Sequence, residues 1–145
     1  MKSLFSVLFL CVVFLSMNSS LMAQTAQGNV FVVTNFERAF TNDGSTRELD
    51  SLAALYMDKC FGSANEYVVS YKVLRHWWGH DNRDFIQVVE VKSWDDVTNA
   101  NQRSGELFEK AWPTGKAQDA FNDAYNKYFT GKHSDEIYSE VVAPK

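Results

Sequence analysis

The stretch from Tyr67 to Val91, YVVSYKVLRHWWGHDNRDFIQVVEV, constrains this chain more than any other. Its flanks are rich in β-branched and aromatic residues, and Gly79, Asp81 and Asn82 between them supply turn chemistry, so the stretch is expected to form two long strands joined by a turn. Two His, two Trp, an Arg and two Asp crowd that turn. Both flanks carry apolar bulk, so the hairpin has to be covered by other parts of the chain.

The rest of the sequence supplies strands and helices around it. Val30 to Asn35 is a continuous β-forming run, too short for a helix, and reads as a buried strand. Phe36 to Asp43 reads as a loop. Ser45-Thr46-Arg47-Glu48 has the spacing of a capping box, after which Leu49, Leu52, Ala53, Tyr56, Met57 and Cys60 recur at three and four residues, with Gly62 as the C-cap. Ser93, followed by Asp95 and Asp96, opens a second helix that Pro113 stops. A third helix is expected from Ala117 to Phe129, closed by Gly131, and a last strand from Ile137 to Val142.

The N-terminal 23 residues have the three parts of a secretory signal. Lys2 is the positive end, Leu4 to Leu15 the apolar middle, and Leu21-Met22-Ala23 a small-residue cleavage site before Gln24. The apolar run is shorter than the ~20 residues of a spanning helix. Residues 24–145 are therefore expected to be a single mature domain, secreted or periplasmic, with no membrane attachment after cleavage. The net charge is −4 with the signal and more negative without Lys2, which argues against a nucleic-acid partner. Of the two Cys only Cys60 survives cleavage, on the apolar face of the first helix, where it reads as a small core residue.

Strand, helix, two strands, helix pair and strand form a split βαβ arrangement: an α+β fold with a four-stranded antiparallel sheet, helices on one face and an extra helix before the last strand. Right-handed crossovers set the strand order as fourth, first, third, second. Along the hairpin's first strand, alternation turns Tyr67, Val69, Tyr71, Val73 and Trp77 one way and Val68, Ser70, Leu74, His76 and Trp78 the other. One helix layer covers one side only, so a second copy is expected to cover the other, giving a homodimer.

Together with the aromatic hairpin, the segments VEVKSWDDV and LFEKAW make the mature chain resemble the dimeric α/β-barrel (ferredoxin-like) superfamily. That resemblance implies two sheets facing each other in a homodimer, with ligand pockets between each sheet and its own helices. Members include cofactor-free oxygenases of aromatic substrates, haem-degrading monooxygenases, isomerases and proteins without known activity. The end of the first strand, VVTN, is similar to the Asn position of the haem-degrading branch, but Trp112 in KAWP stands where that branch has its axial His.

This topology gathers Asn35 and Arg38, then His76, Trp77, Trp78, His80, Asp81 and Arg83, then His133 and Asp135, along one rim of the sheet. The outer strands sit three spacings apart, roughly 14 Å, too far for one three-His metal site in a single subunit unless the loops fold inward or a dimer completes it. Three readings stand. In one, Asn35 and a hairpin Trp hold an aromatic or enol-like substrate and O2 while His76 transfers the proton, since imidazole exchanges protons near neutral pH. In another, a non-enzymatic pocket takes a small apolar or aromatic molecule, with Trp77, Trp78, Tyr71, Arg38 and His133 as its contacts. In the third the chain is a structural or interaction module. No cofactor and no metal is expected, and the sequence has no phosphate-binding Gly-rich loop, HExxH, CxxC or GxSxG.

Overall fold

Strict alternation along one strand sets the layering of the molecule. In Asp84–Val91 the residues Phe85, Gln87, Val89 and Val91 are buried, whereas those between them are only half-buried. A central strand with one buried face needs a helical layer on that side alone. The computed structural model describes residues 28–79 and 84–142. The signal segment and the turn residues His80, Asp81 and Arg83 lie outside the described residues.

The elements are β1 (Val30–Arg38), α1 (Thr46–Phe61), β2 (Val68–Arg75), β3 (Asp84–Val91), α2 (Trp94–Ala111), α3 (Gly115–Asn126) and β4 (Phe129–Ser139). The sheet order is β2-β3-β1-β4 and every pairing is antiparallel, as the crossover argument requires. Two apolar clusters join the sheet to the helices. Leu49 and Ala53 of α1, Phe85 of β3, Phe121 and Tyr125 of α3 and Tyr128 form one; Val30, Met57, Val89, Val91 and Ala100 form the other. Tyr56 packs against both. Asn65, itself buried, donates from Nδ2 to the carbonyls of Cys60 and Ala100 at 3.0 Å each, which ties the end of α1 to α2. Cys60 is fully buried, and burial pushes its thiol up to about 11. That makes it the core residue its position on α1 suggested.

Three local features depart from the sequence reading. A register shift between Val68 and Ser70 makes Val69 the extra residue of a bulge, so Val68 joins Tyr71 and Val73 on the helix side, and Val69 is largely exposed. β1 runs on to Arg38 instead of stopping at Asn35. The third helix stops at Asn126, and the last strand starts at Phe129 instead of Ile137. Helical periodicity does continue through Tyr128 and Phe129, but tertiary pairing overrides it. Phe129 faces Arg38 across the ladder, and its ring meets those of Phe36 at 5.1 Å and Phe85 at 5.5 Å. Gly131, expected to end the helix, lies inside β4 with φ of 84°, a conformation open to Gly.

The start of α1 is fastened by a relay. Ser45 accepts from the Glu48 N–H at 3.1 Å, the first half of a capping box. The second half runs through a third residue: Ser45 N–H donates to the Tyr128 hydroxyl at 3.0 Å, and that hydroxyl donates to Glu48 Oε2 at 2.6 Å. Lys127 completes it with Nζ 3.2 Å from Glu48 Oε1. Gly44 makes room, since a Cβ there would stand 2.2 Å from the Tyr128 hydroxyl oxygen. The Tyr128 hydrogen bond, followed by Lys127, holds the Glu48 carboxyl below its ordinary range. A depressed carboxyl contributes stability that is present at neutral pH and lost as pH falls through the ordinary glutamate range near about 4.3. Tyr128→Phe should therefore lower stability at pH 7 and flatten its acid dependence in denaturant titrations from pH 7 to pH 3; an unchanged acid slope in the variant would remove the relay from the account.

Candidate functional site

Between the sheet and helices α1 and α2 lies a cavity of about 550 Å3. Its floor comes from alternate residues of three strands, because only every second side chain of a strand faces the helices. Val32, Thr34 and Phe36 come from β1, Gln87, Val89 and Val91 from β3, and His133, Asp135 and Ile137 from β4. Tyr56 and Phe61 of α1, with Val97, Thr98, Ala100 and Asn101 of α2, close it from above. The walls are predominantly apolar with a few polar groups, the usual composition of a small-molecule pocket. Burial pushes the Tyr56 phenol up to about 12, so it stays a neutral group at the wall.

One group of polar residues lines the β4 side of this cavity. Asp135 Oδ1 accepts from the Thr34 hydroxyl at 2.8 Å, across the β1–β4 ladder in which these two residues are direct partners. Its other oxygen, Oδ2, stands 3.5 Å from His133 Nε2. The second ring nitrogen of His133, Nδ1, faces the Gly131 carbonyl at 3.4 Å, and the ring lies against Phe36 at 5.8 Å. Deeper in, Gln87 Nε2 donates to the Tyr125 hydroxyl at 2.6 Å, which pairs two buried polar groups.

The residues singled out from the sequence fall into separate places. His133 lines the cavity. Asn35 sits between the cavity residues Thr34 and Phe36 and so takes the opposite face of the sheet, with Ile86 and Ser134 as ladder partners. His76 follows β2 and shares that outer side with Leu74; its N–H donates to the Asp84 carbonyl at 3.2 Å, and its ring packs on Gly79. By strand spacing Asn35 and His76 are roughly 12 Å apart, beyond direct contact. Asn35 Oδ1, His76 Nε2 and Arg38 Nε are buried atoms without a hydrogen-bond partner. Tyr71 packs into the cluster of Val30, Met57, Val89, Val91 and Ala100. Trp77 and Trp78 are 90% and 91% exposed at the hairpin tip. Asn35, His133 and Asp135 thus lie within β1 and β4, which run on past them, and these residues divide between the two faces of the sheet.

Thr34, Gln87, Ile137 and the pairing of Asp135 with His133 were not singled out in the sequence. The signal that marks the β4 residues is their i, i+2, i+4 spacing, which becomes visible once the strand is started at Phe129. Trp112, at the position compared with an axial His, stacks on Phe108 and Phe121 at 4.7 and 4.1 Å and is a core ring. Among the described residues no three His, Cys, Asp or Glu gather to hold a metal ion.

No protein-family model matches this sequence, and no curated protein matches it. Solved structures do match. A protein of Bordetella bronchiseptica assigned as an antibiotic biosynthesis monooxygenase is 10% identical, covers 80% of this chain and 100% of its own, and has a TM-score of 0.52. A similarly assigned Caulobacter crescentus protein is 13% identical over 81% of this chain and 93% of its own, with a TM-score of 0.51. A single-site variant of SnoaB, a cofactor-independent oxygenase from Streptomyces nogalater, is 12% identical over 80% of this chain and 96% of its own, with a TM-score of 0.50. At such identities the likeness is one of fold. With four antiparallel strands in the order described and helices on one face, this chain has a ferredoxin-like α+β fold, the fold it shares with these structures.

Proposed function

We propose that this chain binds an apolar or aromatic small molecule in the cavity between its sheet and helices α1 and α2. The observation that carries the proposal is the cavity itself: about 550 Å3, walled by Val32, Phe36, Tyr56, Phe61, Val97 and Ile137, with Thr34, His133 and Asp135 as polar groups on its β4 side. A second reading, cofactor-independent oxygenation of the bound molecule, is favoured by the fold likeness to SnoaB and to the proteins assigned as antibiotic biosynthesis monooxygenases. In that reading the position of chemistry is open to a direct test. Asn35 and His76 lie on the outer face, so they serve a reaction only if substrate sits between facing sheets of a dimer. Ile137→Trp fills the cavity from an edge strand without touching the buried core. It should weaken binding of a two-ring aromatic probe at least tenfold, and under the oxygenase reading it should lower O2 uptake in step, with Asn35→Ala and His76→Ala leaving affinity intact. Full affinity in Ile137→Trp would sink the cavity as the binding site.

A homodimer belongs to the same proposal. Phe31, Val33, Leu74, Ile86 and Val88 alternate with the cavity-side residues and form an apolar patch on the outer face that no helix among the described residues covers. Light scattering should give twice the protomer mass at micromolar concentration; a strict monomer would count against two sheets meeting there. Export to the periplasm or outside the cell is proposed from the N-terminal segment, and the expected mass of the mature protein begins at Gln24, whereas recovery of the intact N-terminus would contradict cleavage.

A further inference from the structure

We infer that His133 and Asp135 of β4, with Thr34 of β1 as a positioning residue, form the specificity-determining corner of the cavity and select a ligand that carries a hydroxyl group on its apolar body. The inference rests on the small-molecule reading and names which small molecule the cavity prefers.

The geometry defines what this corner accepts. The two ring nitrogens of His133 face oxygen atoms, Gly131 O at 3.4 Å and Asp135 Oδ2 at 3.5 Å, so the imidazole edge and the carboxylate stand side by side at this corner. Asp135 is held from the other side by Thr34 at 2.8 Å, a normal hydrogen bond, which fixes the carboxylate in place. The 3.5 Å separation of His133 from Asp135 is longer than a charge-assisted hydrogen bond, which leaves the pair unsatisfied toward each other. A ligand hydroxyl satisfies both groups: its oxygen accepts from His133 Nε2–H, and its own O–H donates to Asp135 Oδ2. A hydrocarbon satisfies neither, and an ether only accepts.

Nothing else at the cavity competes for that role. From the helices facing the corner come Tyr56, Thr98 and Asn101, all uncharged at neutral pH, and Gln87 on β3 already donates to Tyr125. Of the neighbouring charged residues along β4, Lys132 stands 3.7 Å from Glu37, and Glu136, the ladder partner of Val33, alternates onto the opposite face. The remaining walls are apolar and give affinity without distinguishing a hydroxylated ring from its parent hydrocarbon.

Equilibrium dialysis of the purified protein against 2-naphthol, 2-methoxynaphthalene and naphthalene tests the assignment. Wild type should bind 2-naphthol about tenfold or more tightly than naphthalene, the discrimination expected when one hydroxyl engages a carboxylate and an imidazole together, with 2-methoxynaphthalene close to naphthalene. His133→Ala and Asp135→Ala should bring the naphthol-to-naphthalene ratio near one; both side chains are exposed on an edge strand, so the fold does not depend on them. Thr34→Val should lower the ratio partway and Thr34→Ser should restore it, a pattern that a merely structural role for Thr34 would not give. Equal binding of naphthol and naphthalene by wild type overturns the assignment while leaving the cavity standing. Binding of neither probe strikes the small-molecule reading, and the assignment falls with it.

Discussion

A four-stranded sheet with helices on one side only is the constraint from which the rest of this molecule follows. β3 shows it most plainly, because Phe85, Gln87, Val89 and Val91 are buried while their neighbours face out half-covered. The three helices cannot cover four strands evenly. α3 lies over the Phe85 end, where Phe121 and Tyr125 fill the space, and α1 packs on the sheet through Leu49, Ala53 and Met57. The area next to β4 is left without side chains to fill it, and that deficit is the cavity. The outer face has the opposite problem, apolar side chains with no layer above them among the described residues.

The fold was legible in the sequence because its determinants are local and repeated. Ser45 and Ser93 cap the helices they were expected to cap, accepting from Glu48 and Asp96. The apolar recurrence in α1 delivers Leu49, Ala53, Met57 and Cys60 to the core. Strand order followed from handedness alone. What was not legible depends on pairing between distant residues. β4 is polar and exposed along nearly its whole length, so Lys132 to Glu136 has no strand pattern; only its ladder with β1 makes it a strand. The bulge at Val69 is likewise invisible before β2 meets β3, yet a single extra residue exchanges the faces of Val68 and Val69.

The candidate site suffered from the same limitation. A turn crowded with His, Trp and Asp attracts attention in one dimension, but a strand divides its side chains between two faces. Asn35 and His76 went to one face and His133 to the other, and the two Trp of the turn project into solvent. The polar corner that the cavity does possess is made of an ordinary Thr and an ordinary Asp, which become a pair only because Thr34 and Asp135 are ladder partners 101 residues apart.

The hydroxyl of Tyr128 joins two parts of the chain with different tasks. It stands at the root of β4, the strand that supplies one wall of the cavity, and it also carries the missing half of the cap on α1, the helix that supplies the roof. The two linked groups are 80 and 83 residues away along the chain. The wall therefore cannot swing out at its root without releasing the first turn of the roof helix, so opening the cavity from that end would mean fraying a helix and not merely peeling back an edge strand.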